Sequence, residues 1–122
     1  MLVKNLLGDR KLKSIESVGV GVPGFVNRGR VFQAYNIGCD DFPFAAAVRG
    51  RLRVPVVVEN DCNLFALGIH RVELGGKPRT MAGLFLGTGV GGGLILNGQL
   101  HRGINFAAGE LGQMIVDRSG GR

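Results

Sequence analysis

The sequence predicts an α/β fold, and three observations carry that prediction. Residues 17–22 form a short apolar strand, residues 45–52 a helix-forming stretch and residues 54–58 a β-branched run of the kind buried in a parallel sheet, so the chain holds a strand, helix, strand unit. The polar cluster Glu59-Asn60-Asp61-Cys62-Asn63 stands where that second run gives way to helical spacing, at the carboxyl end of a strand, where open α/β sheets place their ligands. A glycine-dense stretch, Gly87-Thr88-Gly89-Val90-Gly91-Gly92-Gly93, then lies between two further apolar runs.

Taken in order, residues 1–14 hold Leu2, Leu6, Leu7 and Leu12 among lysines, an amphipathic pattern interrupted by Gly8 and read as the tail of a helix. The strand at 17–22 stops at Pro23-Gly24, where proline fixes φ and glycine allows a left-handed φ. Residues 25–26 and 30–32, separated by Asn27-Arg28-Gly29, read as a small hairpin that shapes a cleft wall. Asp40 or Asp41 is placed to cap a helix with Pro43 in its first turn, running through the alanines to residue 52. Val54 to Val58, broken by Pro55, is the second strand, and residues 60–74 return to helical spacing before Gly75-Gly76 ends the helix. Lys77-Pro78-Arg79 is a polar connector, and the domain junction is placed there, dividing the chain into residues 1–77 and 78–122. Residues 81–86 and 93–96 are strands around the glycine-rich turn, with another turn at Asn97-Gly98.

Composition narrows the function classes. The 122 residues allow one domain or parts of two, and 45% apolar with 20% charged residues is the balance of a folded soluble chain rather than a disordered one. The longest apolar stretch, residues 81–96, is shorter than the ~20 residues of a membrane helix and holds six glycines, so no membrane partner is expected. No secretory signal pattern opens the chain, which makes the cytoplasm the expected location. Cys39 and Cys62 lack CxxC or Cys/His ligand spacing and are read as reduced thiols. The net charge of +6 comes from basic residues scattered from Lys4 to Arg118, without a helix-turn-helix or stacking motif, so no nucleic acid is expected to bind through this segment.

Each glycine costs chain entropy unless the backbone must turn sharply or be approached closely, and amides cradling phosphate oxygens would explain the density at 87–93. Gly87, Gly89 and Gly92 match GxGxxG, but a dinucleotide site needs a helix next and Leu94-Ile95-Leu96-Asn97-Gly98 reads as strand and turn. In the 59–63 cluster Asp61 is a candidate general base for a hydroxyl attacking a phosphoryl group, with Asn60 holding neighbouring hydroxyls. The bland reading is N-capping by Asn60 or Asp61, which accounts for one such residue and not for the whole cluster. Glu110 and Gln113, between glycines in Ala108-Gly109-Glu110-Leu111-Gly112-Gln113, and the turn residue Asn36 are candidate hydroxyl ligands in such company. His70 and His101 have no partner motif and are read as structural or surface histidines, and Cys39 and Phe42 as packing residues rather than lining of a ligand cleft.

GVGVPGFV, AYNIG, VENDCN, LGTGVGGGLILNG and AAGELGQ together resemble, in order and spacing, the ROK family of repressors, open reading frames and sugar kinases, over residues 17–117. The resemblance implies an actin-like ATPase (ribonuclease H-like) fold, the chain covering the end of its first domain and the start of its second. It implies an ATP-dependent, Mg2+-dependent sugar kinase acting on a hexose or N-acetylhexosamine. Asp61 then matches the base; Asn36, Asn60, Glu110 and Gln113 the sugar ligands; and Gly87, Thr88, Gly89, Gly91 and Gly92 a phosphate-binding loop. A homodimer is a further expectation from the family.

Three departures from the family pattern stand out. Gln113 occupies the place of a histidine that contacts sugar and helps hold a structural zinc, and an amide is a poor zinc ligand. The family's cysteine cluster and its DxGGT phosphate loop are not among these 122 residues, so no metal site within the chain is expected. A first domain without its opening strands would leave an unpaired sheet edge, so the isolated chain is expected to be weak or inactive as a fragment. The alternatives are the sugar-sensing part of a ROK-type transcriptional repressor without kinase activity, and a non-catalytic remnant.

Overall fold

The computed structural model describes residues 14–120. The helix expected over residues 1–14 falls almost wholly outside them. Within them the chain is mixed α/β. Strand β1 (Val18–Val22) leads into a hairpin of β2 (Phe25–Asn27) and β3 (Arg30–Phe32), a single 3-10 turn at Tyr35–Ile37, helix α1 (Phe44–Leu52) and strand β4 (Val56–Asn60). Helix α2 (Asp61–Gly68) follows without a break and runs on as a π-helical turn, Ile69–Glu73. Strands β5 (Thr80–Leu86), β6 (Val90–Leu96) and β7 (Gln99–His101) come next, and a last 3-10 turn spans Leu111–Gln113.

β1 and β4 pair in parallel, Val18 opposite Val56 through Val22 opposite Asn60, which is the expected strand, helix, strand unit with α1 in the crossover. β4 begins at Val56 rather than Val54: Arg53 takes a left-handed φ of 57° to end α1, and the Pro55 carbonyl accepts the Val18 N–H at 2.9 Å. The hairpin closes through Arg28-Gly29 alone, both at positive φ, because Asn27 already pairs with Arg30. That geometry, repeated at Asn97-Gly98 between β6 and β7, matches the twist of the flanking strands.

The core is a valine cluster. Val22, Val26, Val31, Ala34, Ala45, Val56 and Val58 are buried together, with Phe44, Val48 and Cys39 packed against them, so Cys39 is a packing residue. The cap expected for α1 is different. Pro43 holds the N-cap position with no side-chain hydrogen bond; Asp40 instead accepts the Gln33 N–H at 3.0 Å, and Asp41 pairs with Arg30 at 2.8 Å. Both carboxylates brace the hairpin rather than the helix, because the bridge between Val31 and Phe42 carries them alongside β3.

The glycine run also divides differently from the expectation. β6 starts at Val90, so only Gly87-Thr88-Gly89 forms the turn, while Gly91, Gly92 and Gly93 are strand residues of a three-stranded antiparallel sheet, β5-β6-β7. Helix α2 lies against them. A side chain on Gly91 would strike the Cys62 sulfur, one on Gly93 would come within 2.6 Å of Ala66 Cβ, and one on Gly92 would meet the Gly109 carbonyl. Close approach therefore requires these glycines. The π turn after α2 carries His70, which is fully buried and bonds through Nε2 to the Pro78 carbonyl at 2.8 Å, a structural role. No helix among the described residues is long and apolar enough to cross a membrane.

Candidate active site

The site begins at the junction of β4 and α2. Asn60 is the last residue of the strand and the N-cap of the helix, its Oδ1 accepting the Asn63 N–H at 3.0 Å. Its Nδ2 donates to the Gly24 carbonyl at 3.0 Å, which ties the turn after β1 to the start of α2. The capping reading of Asn60 is thus realised. With the chain direction fixed there, Asp61 falls in the first helical turn, half-buried, and its Oδ1 accepts the Cys62 N–H at 2.8 Å.

Asp61 opens into a cleft of about 590 Å³, within the ~300–1,000 Å³ usual for ligand sites. One wall is Asp61, Cys62 and Phe65 of α2; the other is the end of β5 and the turn Gly87-Thr88-Gly89 with Val90 and Gly91; Asn36 reaches it from the 3-10 turn. Phe65 and Phe85 floor it with their rings 5.5 Å apart. The packing of α2 on glycines of β6 is what holds the aspartate opposite the turn.

Within that turn Gly87 and Gly89 behave unlike the strand glycines. Neither has a left-handed φ, and nothing lies within 4 Å of where a side chain would begin. Internal packing and backbone strain give no reason for glycine at either position. The Gly87 N–H is taken by the Gly89 carbonyl at 2.9 Å, so the turn meets the cleft through the backbone of Thr88 and Gly89, opposite a carboxylate on the far wall, which fits a phosphate chain approaching it.

The structure brings Asn36, Asp61, Gly87, Thr88, Gly89 and Gly91 to one cleft and leaves Asn60, Gly92, Glu110 and Gln113 out of its lining. Asn60 is held by Gly24 and Asn63. Gly92 is buried beneath Gly109 and presents no open amide surface. Gln113 is exposed and borders a separate groove formed by residues 112–120. Glu110 is exposed just beyond the cleft, near enough for its charge to reach Cys62. Burial pushes the Cys62 thiol up from its ordinary value, and the Asp61 and Glu110 carboxylates push it further.

Two residues escape a reading of the sequence alone. Glu59, 7% exposed, is paired with Arg102, whose Nε and Nη2 both reach Oε2 at 2.7 Å. A glutamate at the end of an apolar strand signals a buried, paired carboxylate. Nothing in the linear sequence points to Arg102 as its partner.

The model of the ROK family matches residues 2–122. A glucokinase from Halalkalibacterium halodurans is 41% identical over 98% of this chain and 37% of its own length. An N-acetyl-D-glucosamine kinase from Haemophilus influenzae is 42% identical over 87% of this chain and 36% of its own. Among solved structures, a ROK family glucokinase from Streptomyces griseus in complex with glucose and AMPPNP superposes with a TM-score of 0.77 and 38% identity, over 85% of this chain and 34% of that one. The chain spans a little over a third of the length of these relatives.

Proposed function

The chain belongs to the ROK family and has the actin-like ATPase fold of its sugar kinases, and from that premise we propose that it is the part of an ATP-dependent sugar kinase that carries the base and one phosphate loop. In this reading residues 1–77 end the first domain and residues 78–122 begin the second. The acceptor is a hexose or N-acetylhexosamine, the classes to which the sugars in the names of its glucokinase and N-acetyl-D-glucosamine kinase relatives belong, and the reaction runs in the cytoplasm. The observation that carries the reading is the single cleft with Asp61 on one wall and the open turn Gly87-Thr88-Gly89 on the other.

Asp61 accepts the proton of a sugar hydroxyl as that oxygen forms a bond to the γ-phosphorus of ATP; the bond from that phosphorus to the β,γ-bridging oxygen breaks, and ADP leaves with its electron pair. The amides of Thr88 and Gly89, with the Thr88 hydroxyl beside them, donate to phosphate oxygens and hold the γ-phosphoryl group in line. Mg2+ bound with the nucleotide would supply charge neutralisation on the phosphates. Asn36, which lines the cleft, and Glu110, exposed beyond it, are the candidates to hold sugar hydroxyls. Asn60 orients the base by capping its helix, and Gln113, exposed on the separate groove of residues 112–120, is given no contact with the sugar in this cleft. Repression without phosphoryl transfer would need neither a base nor an open glycine turn, which favours the kinase over the sugar-sensing regulator.

The test supplies the intact gene product with γ-labelled ATP, Mg2+ and a panel of hexoses and N-acetylhexosamines. Label is expected on at least one sugar. Sugar binding without any transfer, measured by calorimetry, would support the regulator instead.

A further inference from the structure

Arg102 follows β7 directly and reaches back to a residue 43 positions earlier, the buried Glu59. That carboxylate is filled on both sides. Oε2 takes Nε and Nη2 of Arg102 at 2.7 Å, and Oε1 accepts the Asn60 N–H at 3.0 Å and Asn63 Nδ2 at 3.1 Å. Asn60 in turn caps α2 through the Asn63 N–H. A buried carboxylate that loses its cation is left uncompensated and moves toward water, which disturbs the acceptor half that orients Asn60 and Asn63. Arg102 has a second attachment: its carbonyl accepts the Ala108 N–H at 3.1 Å. This closes a loop whose Gly109 packs on Gly92 and Gly93 and whose next residue is Glu110.

We propose that Arg102, acting through Glu59, is a positioning residue that fixes the first turn of α2, with Asp61, against the loop leading to Glu110. The inference rests on the kinase reading and deepens it: the base and an outer sugar ligand are set relative to one another by one guanidinium that touches neither. The shared influence of Asp61 and Glu110 on the Cys62 thiol agrees with such an alignment. Arg102 is suited to positioning rather than to core support, because its side chain is 46% exposed and the packing of α2 on β6 does not involve it.

The intact gene product carrying Arg102→Ala or Arg102→Lys tests this. Misplacing a base lowers kcat, so Arg102→Ala should cost about 10- to 100-fold in kcat. The KM for ATP should stay within about twofold, because residues 87–89 have no attachment to Arg102. Arg102→Lys, with one compact donor group, should fall between. In a Glu59→Gln background Arg102→Ala should cost little more, since the two residues act as one unit. The second readout needs no activity: the rate at which N-ethylmaleimide labels Cys62, followed by mass spectrometry of its peptide, should rise several-fold in Arg102→Ala as the first turn of α2 loosens. An unchanged kcat, additive losses with Glu59→Gln, or an unchanged Cys62 labelling rate would each overturn the proposal. A wild-type product that phosphorylates no sugar would refute the kinase reading instead, and Cys62 labelling would still decide whether Arg102 fixes the turn. Should Arg102→Ala lose its circular dichroism signal, Arg102→Lys carries the same comparisons.

Discussion

Replacing Gly93 by alanine probes the contact that holds Asp61 opposite the glycine turn. The added methyl would sit 2.6 Å from Ala66 Cβ, 3.0 Å from the Cys62 carbonyl oxygen and 3.4 Å from Asn63 Cα. Carbon atoms in good contact are ~3.5–4.0 Å apart, so α2 and β6 must separate by about 1 Å. Two of the three obstacles are backbone atoms and the third is a Cβ, so no flexible side chain can absorb the clash. Overpacking of this kind costs about 1–3 kcal/mol, against which alanine recovers about 0.4–1 kcal/mol by stiffening the unfolded chain, leaving a net loss centred on about 1.3 kcal/mol. Urea unfolding of the intact gene product measures it as a lower midpoint at unchanged slope. Ala66→Gly supplies the control. Alone it should cost about 1 kcal/mol as a helix glycine, but in the Gly93→Ala background it removes the nearest obstacle and should cost less or restore stability. A Gly93→Ala protein as stable as wild type, or a cycle that is simply additive, would refute the claim that close approach dictates these glycines.

Three further outcomes follow from the same geometry. Gly89→Ala meets nothing within 4 Å, so stability should stay within about 0.5 kcal/mol of wild type while the KM for ATP rises roughly tenfold, read from initial rates against ATP concentration; an unchanged KM would remove the turn from nucleotide binding. The Cys62 thiol is raised by burial and by two carboxylates, so its thiolate forms at higher pH than that of a free thiol and the alkylation profile should shift upward. Asp61→Asn removes one of those carboxylates, and the profile should move back down; no movement would separate the two side chains.

The parts of the fold legible in the sequence were those set by neighbours along the chain. The runs at β1 and β4 are apolar and β-branched, the Asn97-Gly98 turn carries residues that tolerate positive φ, and Asn60 stands where a strand gives way to a helix, whereas pairing of Asn27 with Arg30 narrows the expected three-residue connection to Arg28-Gly29. The mixed α/β class and the family followed from these and from the spacing of the motifs. What the sequence hid depends on partners far along the chain. Asp40 and Asp41 suit a helix cap by composition, but the bridge between Val31 and Phe42 gives them to Gln33 and Arg30. Gly91 to Gly93 look like part of a loop until α2 is seen lying on them. The tie between Glu59 and Arg102 joins segments 43 residues apart and leaves no local signature. Among the candidate site residues, Asp61 and the turn at 87–89 were each legible, whereas their meeting in one cleft comes from that helix packing.

The most direct test of the central claim is Asp61→Asn in the intact gene product, with the transfer rate and sugar affinity measured on the same preparation. Asparagine keeps the size and the hydrogen bond to Cys62 but cannot take a proton. A base in the transition state contributes ~100-fold or more, so kcat should fall at least that far while calorimetry finds the sugar bound within about threefold of wild-type affinity. A variant that transfers phosphate at a rate near wild type would contradict the assignment of Asp61 as the base, and with it the account of how this cleft works.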